Sequence, residues 1–248
     1  MIKFLKLHTC GNDFIIFFKK IKKKFKKINK KPGLSCDQIL NIINLNYKKK
    51  FIKIKIFNNN FTEANNCGNG IRCLSWFFFL KLKKKFLYFF LNNNNIIVSF
   101  KKNKKNFIIY NIPKKKIKIL FRIKYLFLKS FYINLINIHV IFLINNIKSK
   151  KIYFIINNVI NNFGDIYNIE FIQIIKKSYL YIRIFEKNVG ETYSCGSGIT
   201  SVVCFLKMYN FVSNNVFINS IGGNCNIKIN KKYIIIYGKQ YYIANGYV

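Results

Sequence analysis

The stretch Glu63–Ile71, EANNCGNGI, recurs further along the chain as Glu191–Ile199, ETYSCGSGI. The two copies share a Glu, a Cys four residues later, both glycines of C-G-x-G and the Ile that follows; Cys195 comes 128 residues after Cys67. Each copy follows a strand-like apolar run and begins a helix-like one. Chance recurrence is a poor explanation, since the 248 residues include only 12 glycines and 7 cysteines. The repeat predicts two homologous halves, each with one cysteine at a helix N-terminus.

Short apolar runs separated by Asn or Lys clusters make up most of the chain, and such runs rich in Ile, Phe and Tyr are typical of β-strands. The predicted strands are FIKIKIF at 51–57, NIIVSF at 95–100, NFIIYNI at 106–112, VIFLI at 140–144, YLYIRIFE at 179–186 and KYIIIYG at 232–238. The predicted helices are CDQILNIINLN at 36–46, GNGIRCLSWFFFLKL at 68–82 and GSGITSVVCFLKMYN at 196–210. The sequence thus predicts an α+β protein, with the Lys runs near 19–31 and 101–118 as loops or solvated edges.

Lys and Arg outnumber Asp and Glu by 44 to 7, which gives a formal net charge of +37. That excess alone would favour a nucleic acid or another polyanion as partner. Lys, Asn, Ile, Phe and Tyr all have codons rich in A and T, however, so a biased genome would enrich all five together. We therefore expect solvated lysines and no nucleic-acid partner. A basic nucleic-acid-binding protein is the alternative from a different class, but the sequence has no recognisable binding module.

The N-terminal residues MIKFLKLHTCGNDF are interrupted by lysines and a histidine and do not form the apolar region of a secretory signal, so we expect a cytoplasmic protein. The apolar segment 121–147 is interrupted by Arg, Lys, His and Asn, which favours buried strands over a membrane span. Seven cysteines without a C-x-x-C pair indicate free thiols rather than disulfides or a structural metal site.

The chemistry of the repeat follows from its predicted place in the fold. A helix N-terminus presents unbonded backbone N–H groups and a partial positive charge, which favour anions. A cysteine there is expected to have a pKa below the free value of about 8.5, and the glycines would let a substrate carboxylate approach the backbone. Cys67 and Cys195 are therefore candidates for two acid–base groups on opposite faces of one carbon. Such a pair suits inversion of a stereocentre without metal or cofactor, because helix N–H groups can stabilise the enolate-like intermediate.

Five blocks of the sequence, in order and over nearly the whole chain, resemble the diaminopimelate epimerase family. They are KLHTCGNDF at 6–14, CDQIL at 36–40, IFNNNFTEANNCGNGIRC at 56–73, NIEFIQ at 168–173 and RIFEKNVGETYSCGSGI at 183–199. The resemblance implies cofactor-independent epimerisation of L,L-diaminopimelate to the meso form, in lysine and peptidoglycan precursor synthesis. It also implies two pseudo-symmetric domains, 1–111 with 239–248 and 112–238. Each would be a curved mixed β-sheet around a central helix, with the active site in the cleft between them.

The resemblance assigns roles to individual residues. Cys67 and Cys195 are the implied catalytic thiols, and His139 and Glu186 are implied to tune them. The implied substrate-binding residues are Asn12, Gln38, Asn58, Gly68, Asn69, Asn137, Asn168, Glu186, Lys187, Gly196 and Ser197. No metal ligand is implied.

The chain departs from the family pattern at three places. The block around Asn137 and His139 reads INIH where the family has Gly-Asn-Pro-His, and Lys187 stands where the family has an arginine that can pair bidentately with a carboxylate. The C-terminal Tyr-Asp-Gly associated with family dimers reads Ala244–Gly246, so a homodimer is an open expectation. A proline racemase-like enzyme is the close alternative, although its first motif typically has His at the position of Asn69.

Overall fold

The computed structural model describes residues 1–21, 33–46, 48–82, 84–91, 96–102, 105–111, 130–134, 138–230 and 232–248. The chain divides into two compact units. The first comprises Met1–Tyr110 with Ile235–Val248, and the second comprises Asn111–Ile234.

The first unit is a mixed sheet with one helix in its middle. Its elements in chain order are β1 Lys3–Thr9, β2 Asn12–Phe17, β3 Gln38–Asn46, β4 Phe51–Asn58, β5 Glu63–Ala64, α1 Gly68–Leu82, β6 Phe86–Phe90, β7 Ile96–Lys102 and β8 Lys105–Asn111; β17 Tyr241–Tyr247 returns from the C-terminus. The strands pair in the order β17–β1–β2–β3–β4–β6–β7–β8, with β5 also on β4. Helix α1 contacts both β1 and β7, which are far apart in this order, so the sheet curves around the helix.

Alternation of apolar and basic residues explains the strand that leads to the first motif. In β4 the side chains of Ile52, Ile54 and Ile56 are buried, whereas the lysines between them reach solvent. These isoleucines belong to the core cluster that also takes in Leu74 and Phe78 of α1. Burial against the helix therefore fixes which face of β4 points inward.

The second unit has the same kind of architecture with one more helix. Its elements are β9 Ser130–Asn134, β10 Ile138–Leu143, α2 Lys151–Phe163, β11 Asn168–Lys176, β12 Tyr179–Glu186, β13 Gly190–Thr192, α3 Gly196–Met208, β14 Asn215–Ser220, β15 Gly223–Ile229 and β16 Tyr233–Gly238, whose last residues belong to the first unit. The strands pair in the order β9–β10–β11–β12–β14–β15, with β13 also on β12. Helix α3 packs on β10 and β11, and its side chains are buried over most of its length.

The two units repeat one topology. The succession β1 to β7 in the first unit corresponds to β9 to β15 in the second, with parallel pairing at β2–β3 and β4–β6 matched by β10–β11 and β12–β14. The motif helix follows the short fifth strand of each series. The predicted α+β fold with two related halves is confirmed.

Most of the predicted elements are confirmed, and one is wrong. The strands predicted at 51–57, 95–100, 106–112, 140–144, 179–186 and 232–238 are found as β4, β7, β8, β10, β12 and β16, and the two glycine-led helices as α1 and α3. The helix predicted at 36–46 is instead β3, which pairs in parallel with β2 and antiparallel with β4. None of the helices in the described part of the chain has the length and apolar character needed to cross a membrane.

We expect the core around α1 to respond very differently to truncation at two adjacent helix positions. Phe79 is 2% exposed, whereas its neighbour Leu80 is 56% exposed. Phe79→Ala should lower the free energy of unfolding by about 3–5 kcal/mol, because it leaves a cavity in the core. Leu80→Ala, the matched control, should change it by less than about 1 kcal/mol. Urea unfolding followed by circular dichroism measures both, and equal effects would contradict this assignment of the buried face.

Candidate active site

The two motif cysteines occupy the same position at the start of their helices. The Cys67 carbonyl accepts the Ile71 N–H of α1 at 3.0 Å, and the Cys195 carbonyl accepts the Ile199 N–H of α3 at 2.9 Å. Both side chains are half-buried, and neither forms a disulfide. Each cysteine is thus the N-cap of its helix, as the repeat predicted.

The thiol of Cys67 is part of the cap itself. The backbone N–H of Gly70 donates to Cys67 Sγ at 3.3 Å. This contact satisfies one of the N–H groups that a helix start leaves without an intrahelical partner, and it stabilises negative charge on the sulfur. The remaining N–H groups of the first turn, which begins at Gly68, lie beside the thiol along the helix axis.

A chain of polar groups holds the amides near Cys67. The buried Arg72 guanidinium donates to Asn69 Oδ1 at 2.6 Å, and Asn69 Nδ2 donates to Asn12 Oδ1 at 3.4 Å. Asn12 Nδ2 in turn donates to the Asp37 carboxylate at 2.7 Å. The charged ends of this chain fix which way each amide points, because a guanidinium only donates and a carboxylate only accepts.

Gln38 and Asn58 meet on neighbouring strands. They are directly opposite in the β3–β4 pairing, and Gln38 Nε2 donates to Asn58 Oδ1 at 2.9 Å. Asn58 Nδ2 donates to Thr62 Oγ1 at 3.0 Å across the β4–β5 turn that leads to the motif. The structure therefore joins the predicted residues of the first half in two pairs, Asn12 with Asn69 at the helix start and Gln38 with Asn58 on the strands before it.

The thiol of Cys195 has the Ser197 hydroxyl and the Glu186 carboxyl group as neighbours. Its Sγ lies 3.2 Å from Ser197 Oγ. Burial is the largest influence on the pKa of Glu186 and raises it, while the Thr192 and Cys195 side chains work in the opposite direction. The Cys195 thiol and the Glu186 carboxyl group therefore influence each other's pKa.

The expectation of a lowered pKa is wrong for Cys195. Burial raises the pKa of this thiol well above its ordinary value, and the Glu186 carboxylate raises it further. The Ser197 hydroxyl and the Gly198 N–H each lower the pKa of Cys195 in part. The Gly198 contribution is limited, because the Cys195 side chain lies outside the geometry of a helix-capping hydrogen bond. Loss of water and a nearby acid outweigh the helix N-terminus, so Cys195 holds its proton.

His139 lies in the second unit as predicted, but its partner is an acid that sequence reasoning did not assign. His139 Nδ1 lies 2.6 Å from Glu170 Oε1, and both side chains are fully buried. Glu170 is also what Gly198 of α3 meets: a Cβ at Gly198 would lie 2.6 Å from Glu170 Oε1. The pair therefore sits directly beneath the helix start that carries Cys195.

Two more of the predicted residues of the second half, Asn168 and Lys187, lie at the end of β12. The backbone N–H of Lys187 donates to Asn168 Oδ1 at 3.1 Å, and Asn168 Nδ2 donates to the Ile138 carbonyl at 3.4 Å. Gly196 is the first residue of α3. Asn137 lies outside the described residues.

Sequence reasoning missed Arg72, Asp37 and Glu170 as parts of the site. Rarity was the available signal, since the chain has three arginines and seven acids. The partners of these three residues could not be identified without knowing how the strands and helices pack.

The other cysteines of the motif helices are structural. Cys73 and Cys204 lie within α1 and α3, and burial raises the pKa of both, that of Cys204 to about 12. Within the described part of the chain, no cluster of three or more His, Cys, Asp or Glu could hold a metal ion.

Comparison with known proteins finds one family by sequence. A family model described as diaminopimelate epimerase matches residues 131–241. The diaminopimelate epimerase of Buchnera aphidicola subsp. Baizongia pistaciae (strain Bp) is 30% identical, covering 99% of this chain and 95% of its own. That of Wigglesworthia glossinidia brevipalpis is 29% identical, covering 99% of each.

Solved structures with little sequence identity share the fold. A Bacillus anthracis phenazine biosynthesis protein of the PhzF family superposes with a TM-score of 0.72 at 14% identity, over 100% of this chain and 98% of its own. A hydroxyproline epimerase from Agrobacterium vitis superposes with a TM-score of 0.66 at 8% identity, over 99% and 91%. These likenesses concern the two-domain fold alone.

We expect the two motif glycines to differ in their tolerance of a methyl group. A Cβ at Gly70 would meet the flexible end of Leu40 at 2.9 Å, whereas one at Gly198 would meet a carboxylate held by His139. Both changes gain similar helix propensity. Gly198→Ala should therefore be less stable than Gly70→Ala by about 1–3 kcal/mol, because its overpacking cannot relax. Thermal unfolding of the two variants checks this, and equal melting temperatures would refute it.

Proposed function

We propose that this chain, which belongs to the diaminopimelate epimerase family, uses Cys67 and Cys195 as its two acid–base groups. The family reaction is inversion of one α-carbon of L,L-2,6-diaminopimelate to give the meso isomer, an isomerisation that feeds lysine and peptidoglycan precursor synthesis. The observation that carries the assignment is the matching N-cap position of the two cysteines. The Cys67 carbonyl accepts the Ile71 N–H at 3.0 Å, and the Cys195 carbonyl accepts the Ile199 N–H at 2.9 Å.

Each proton moves once in the proposed reaction. A thiolate takes the α-proton and becomes a thiol, and the electron pair of the broken C–H bond delocalises onto the adjacent carboxylate. A thiol on the other face gives its proton to the same carbon and becomes a thiolate. The two cysteines have then exchanged protonation states, and solvent exchange returns them.

The helix starts supply what the intermediate needs. Charge develops on the carboxylate as the proton leaves, and N–H groups fixed at a helix N-terminus stabilise that charge without rearranging. We assign this role to the first turns that begin at Gly68 and Gly196, together with Ser197. The proposal needs no cofactor, because thiols and backbone dipoles supply every proton transfer and charge contact.

The protonation of Cys195 in the resting protein suggests an order of events. Its raised pKa makes Cys195 the proton donor, and the Gly70 N–H at Cys67 Sγ favours thiolate on the other motif. L,L-diaminopimelate would then lose its proton to Cys67. The amides of Asn12, Asn58 and Asn69 have the mixed donors and acceptors that a substrate amino acid group requires.

The wider setting of the enzyme stays a prediction. Acid–base thiols must remain reduced to work, so we place the protein in the cytoplasm. The homodimer and the role of Asn137 rest on the family resemblance.

Turnover in D₂O tests the two-thiol mechanism. Product should carry deuterium at the inverted carbon from the earliest times, because the delivering thiol has exchanged with solvent, while remaining substrate should stay protiated. Cys67→Ala and Cys195→Ala should each lower kcat by more than about 10³-fold, since each removes one half of the proton transfer. Mass spectrometry and chiral chromatography report both quantities.

Thiols within the same two helices provide matched controls. Cys73→Ala and Cys204→Ala remove buried cysteines of α1 and α3 and should leave kcat within a few-fold of the parent's. Inversion by either motif variant, or equal early labelling of substrate and product, would point to a single exchanging base.

Lys187 tests the proposed substrate contact at the end of β12. Lys187→Ala should raise KM by about tenfold or more through loss of a charge-assisted contact to a carboxylate. Lys187→Arg should equal the parent or lower KM, because a planar fork pairs with a carboxylate at two points. Steady-state kinetics measure both, and an unchanged KM in Lys187→Ala would remove this side chain from the site.

A further inference from the structure

Strand register identifies equivalent positions in the two units. In the first unit, Phe14 of β2 lies beside Gln38 of β3 in a parallel pair. In the second unit, His139 of β10 lies beside Asn168 of β11 in the matching parallel pair. His139 is therefore the counterpart of Phe14.

The next residue on the same face of each third strand completes the comparison. Leu40 comes two residues after Gln38, and Glu170 comes two residues after Asn168. The motif glycines bear this out independently, since Gly70 meets Leu40 and Gly198 meets Glu170. Beneath the first helix start the sheet thus presents an apolar Phe–Leu pair, and beneath the second an ionisable His–Glu pair.

The ionisable pair is not required to support a helix at this place. Phe14 and Leu40 are fully buried and do so in the first unit without any charge. A buried carboxylate and imidazole carry a desolvation penalty that packed apolar residues avoid. In addition, His139 Nε2 and Glu170 Oε2 have no hydrogen-bond partner among the described residues. These features point to chemistry rather than packing.

The pair acts on the groups that handle the proton. Burial is the largest cause of the raised pKa of both Cys195 and Glu186, the Glu170 carboxylate raises both further by a smaller amount, and His139 lowers the pKa of Glu186. The neighbouring β9, SFYIN, has no acidic or basic residue. The Glu191 carboxylate of β13 forms an ion pair with Arg183 at 2.5 Å. The lysines of β11 and α3 lie at the ends of those elements that are far from the pair. The ionisable side chains of this cluster are therefore His139, Glu170, Glu186 and Cys195.

We propose that Glu170 is a positioning residue that makes the two thiols chemically unequal. It holds the His139 ring through Nδ1 and places a carboxylate directly beneath Gly198, close to the thiol of Cys195 and the carboxyl group of Glu186. The first unit has the uncharged side chains of Phe14 and Leu40 at the two equivalent positions beneath Cys67. This inference rests on the proposed function for its meaning in catalysis, but its effect on Cys195 is measurable without substrate.

Alkylation of the thiols as a function of pH tests the effect directly. Glu170→Gln keeps the shape of the side chain and removes its charge. The pKa of Cys195 should then fall, so that iodoacetamide modifies Cys195 up to about tenfold faster at a given pH if the pKa falls by one. Peptide mass mapping follows each cysteine separately, and Cys67 provides the internal control with an unchanged profile. Superimposable Cys195 profiles in parent and variant would overturn the proposal.

The second test converts the second unit's pair into the first unit's pair. His139→Phe combined with Glu170→Leu should fold and melt at or above the parent's temperature, because buried ion pairs are often replaced by apolar residues without loss. It should lower kcat by about 10- to 100-fold, with KM within threefold and the alkaline limb of the pH profile moved to lower pH. Ile172→Val, at an equally buried position two residues along β11, should keep the parent's kcat and pH profile.

The outcomes separate the two proposals. If the parent does not epimerise L,L-diaminopimelate, the proposed function fails while the alkylation profiles still decide the role of Glu170. A double variant with the parent's kcat and pH profile would overturn that role. Loss of the folded state in both Glu170 variants would also overturn it, because the pair would then be structural.

Discussion

In each unit the cysteine motif depends on the close approach of its helix start to the strands beneath it. An added Cβ would lie 2.9 Å from the flexible end of Leu40 at Gly70 and 2.6 Å from the Glu170 carboxylate at Gly198, so both helix starts lie close against the sheet and the fit is tighter at Gly198. The cysteine three residues before each of these glycines is the N-cap, and its carbonyl accepts the N–H of the residue four positions later. At Gly198, where the carboxylate is held by His139, a bulkier residue would displace the thiol and its N–H groups from the strands together. Within each unit, one constraint thus sets the positions of both the thiol and the backbone N–H groups of the helix start.

The same scaffold carries different electrostatics in its two copies. Both hairpins that precede the motif are pinned alike, with Lys55 at 3.3 Å from Glu63 and Arg183 at 2.5 Å from Glu191, each pair eight residues apart. Partly exposed ion pairs of this kind contribute little stability, but they set the direction in which the chain enters the helix. Beneath the helix starts the two units differ, because the first has the apolar pair Phe14 and Leu40 and the second has the ionisable pair His139 and Glu170. The proposed mechanism, which uses one thiol and one thiolate at the same moment, could exploit such a difference.

Sequence alone predicted the elements whose signals are local. The starts of α1 and α3 follow from glycines after a cysteine, and β4 follows from strict alternation. The helix predicted at 36–46 is wrong because β3 lies between two strands and buries Ile39, Leu40, Asn41 and Ile42 in succession, a continuous run that fits a helix as well as a strand. Helix α2 was missed because Lys150 provides no side-chain cap, although its buried positions recur at helical spacing. The pKa of Cys195 could not be predicted, since the helix end is visible in the sequence whereas the desolvation and the two acids are assembled by the fold.

The scarcity of acids gives the composition its physical meaning. In a chain with 44 basic residues, a carboxylate has no shortage of surface partners, yet the seven acids all lie near the two motifs or the strands that lead to them. Asp13 and Asp37 exchange hydrogen bonds with each other's backbone N–H groups beside Asn12, and Asp165 accepts the N–H of Asn188, next to Lys187. Each of these contacts fixes a backbone position that a lysine could not fix, because an ammonium group accepts no hydrogen bond. A drift toward lysine can therefore spread over a solvated surface but stops where the site needs an acceptor, and the places where it stops outline the active site.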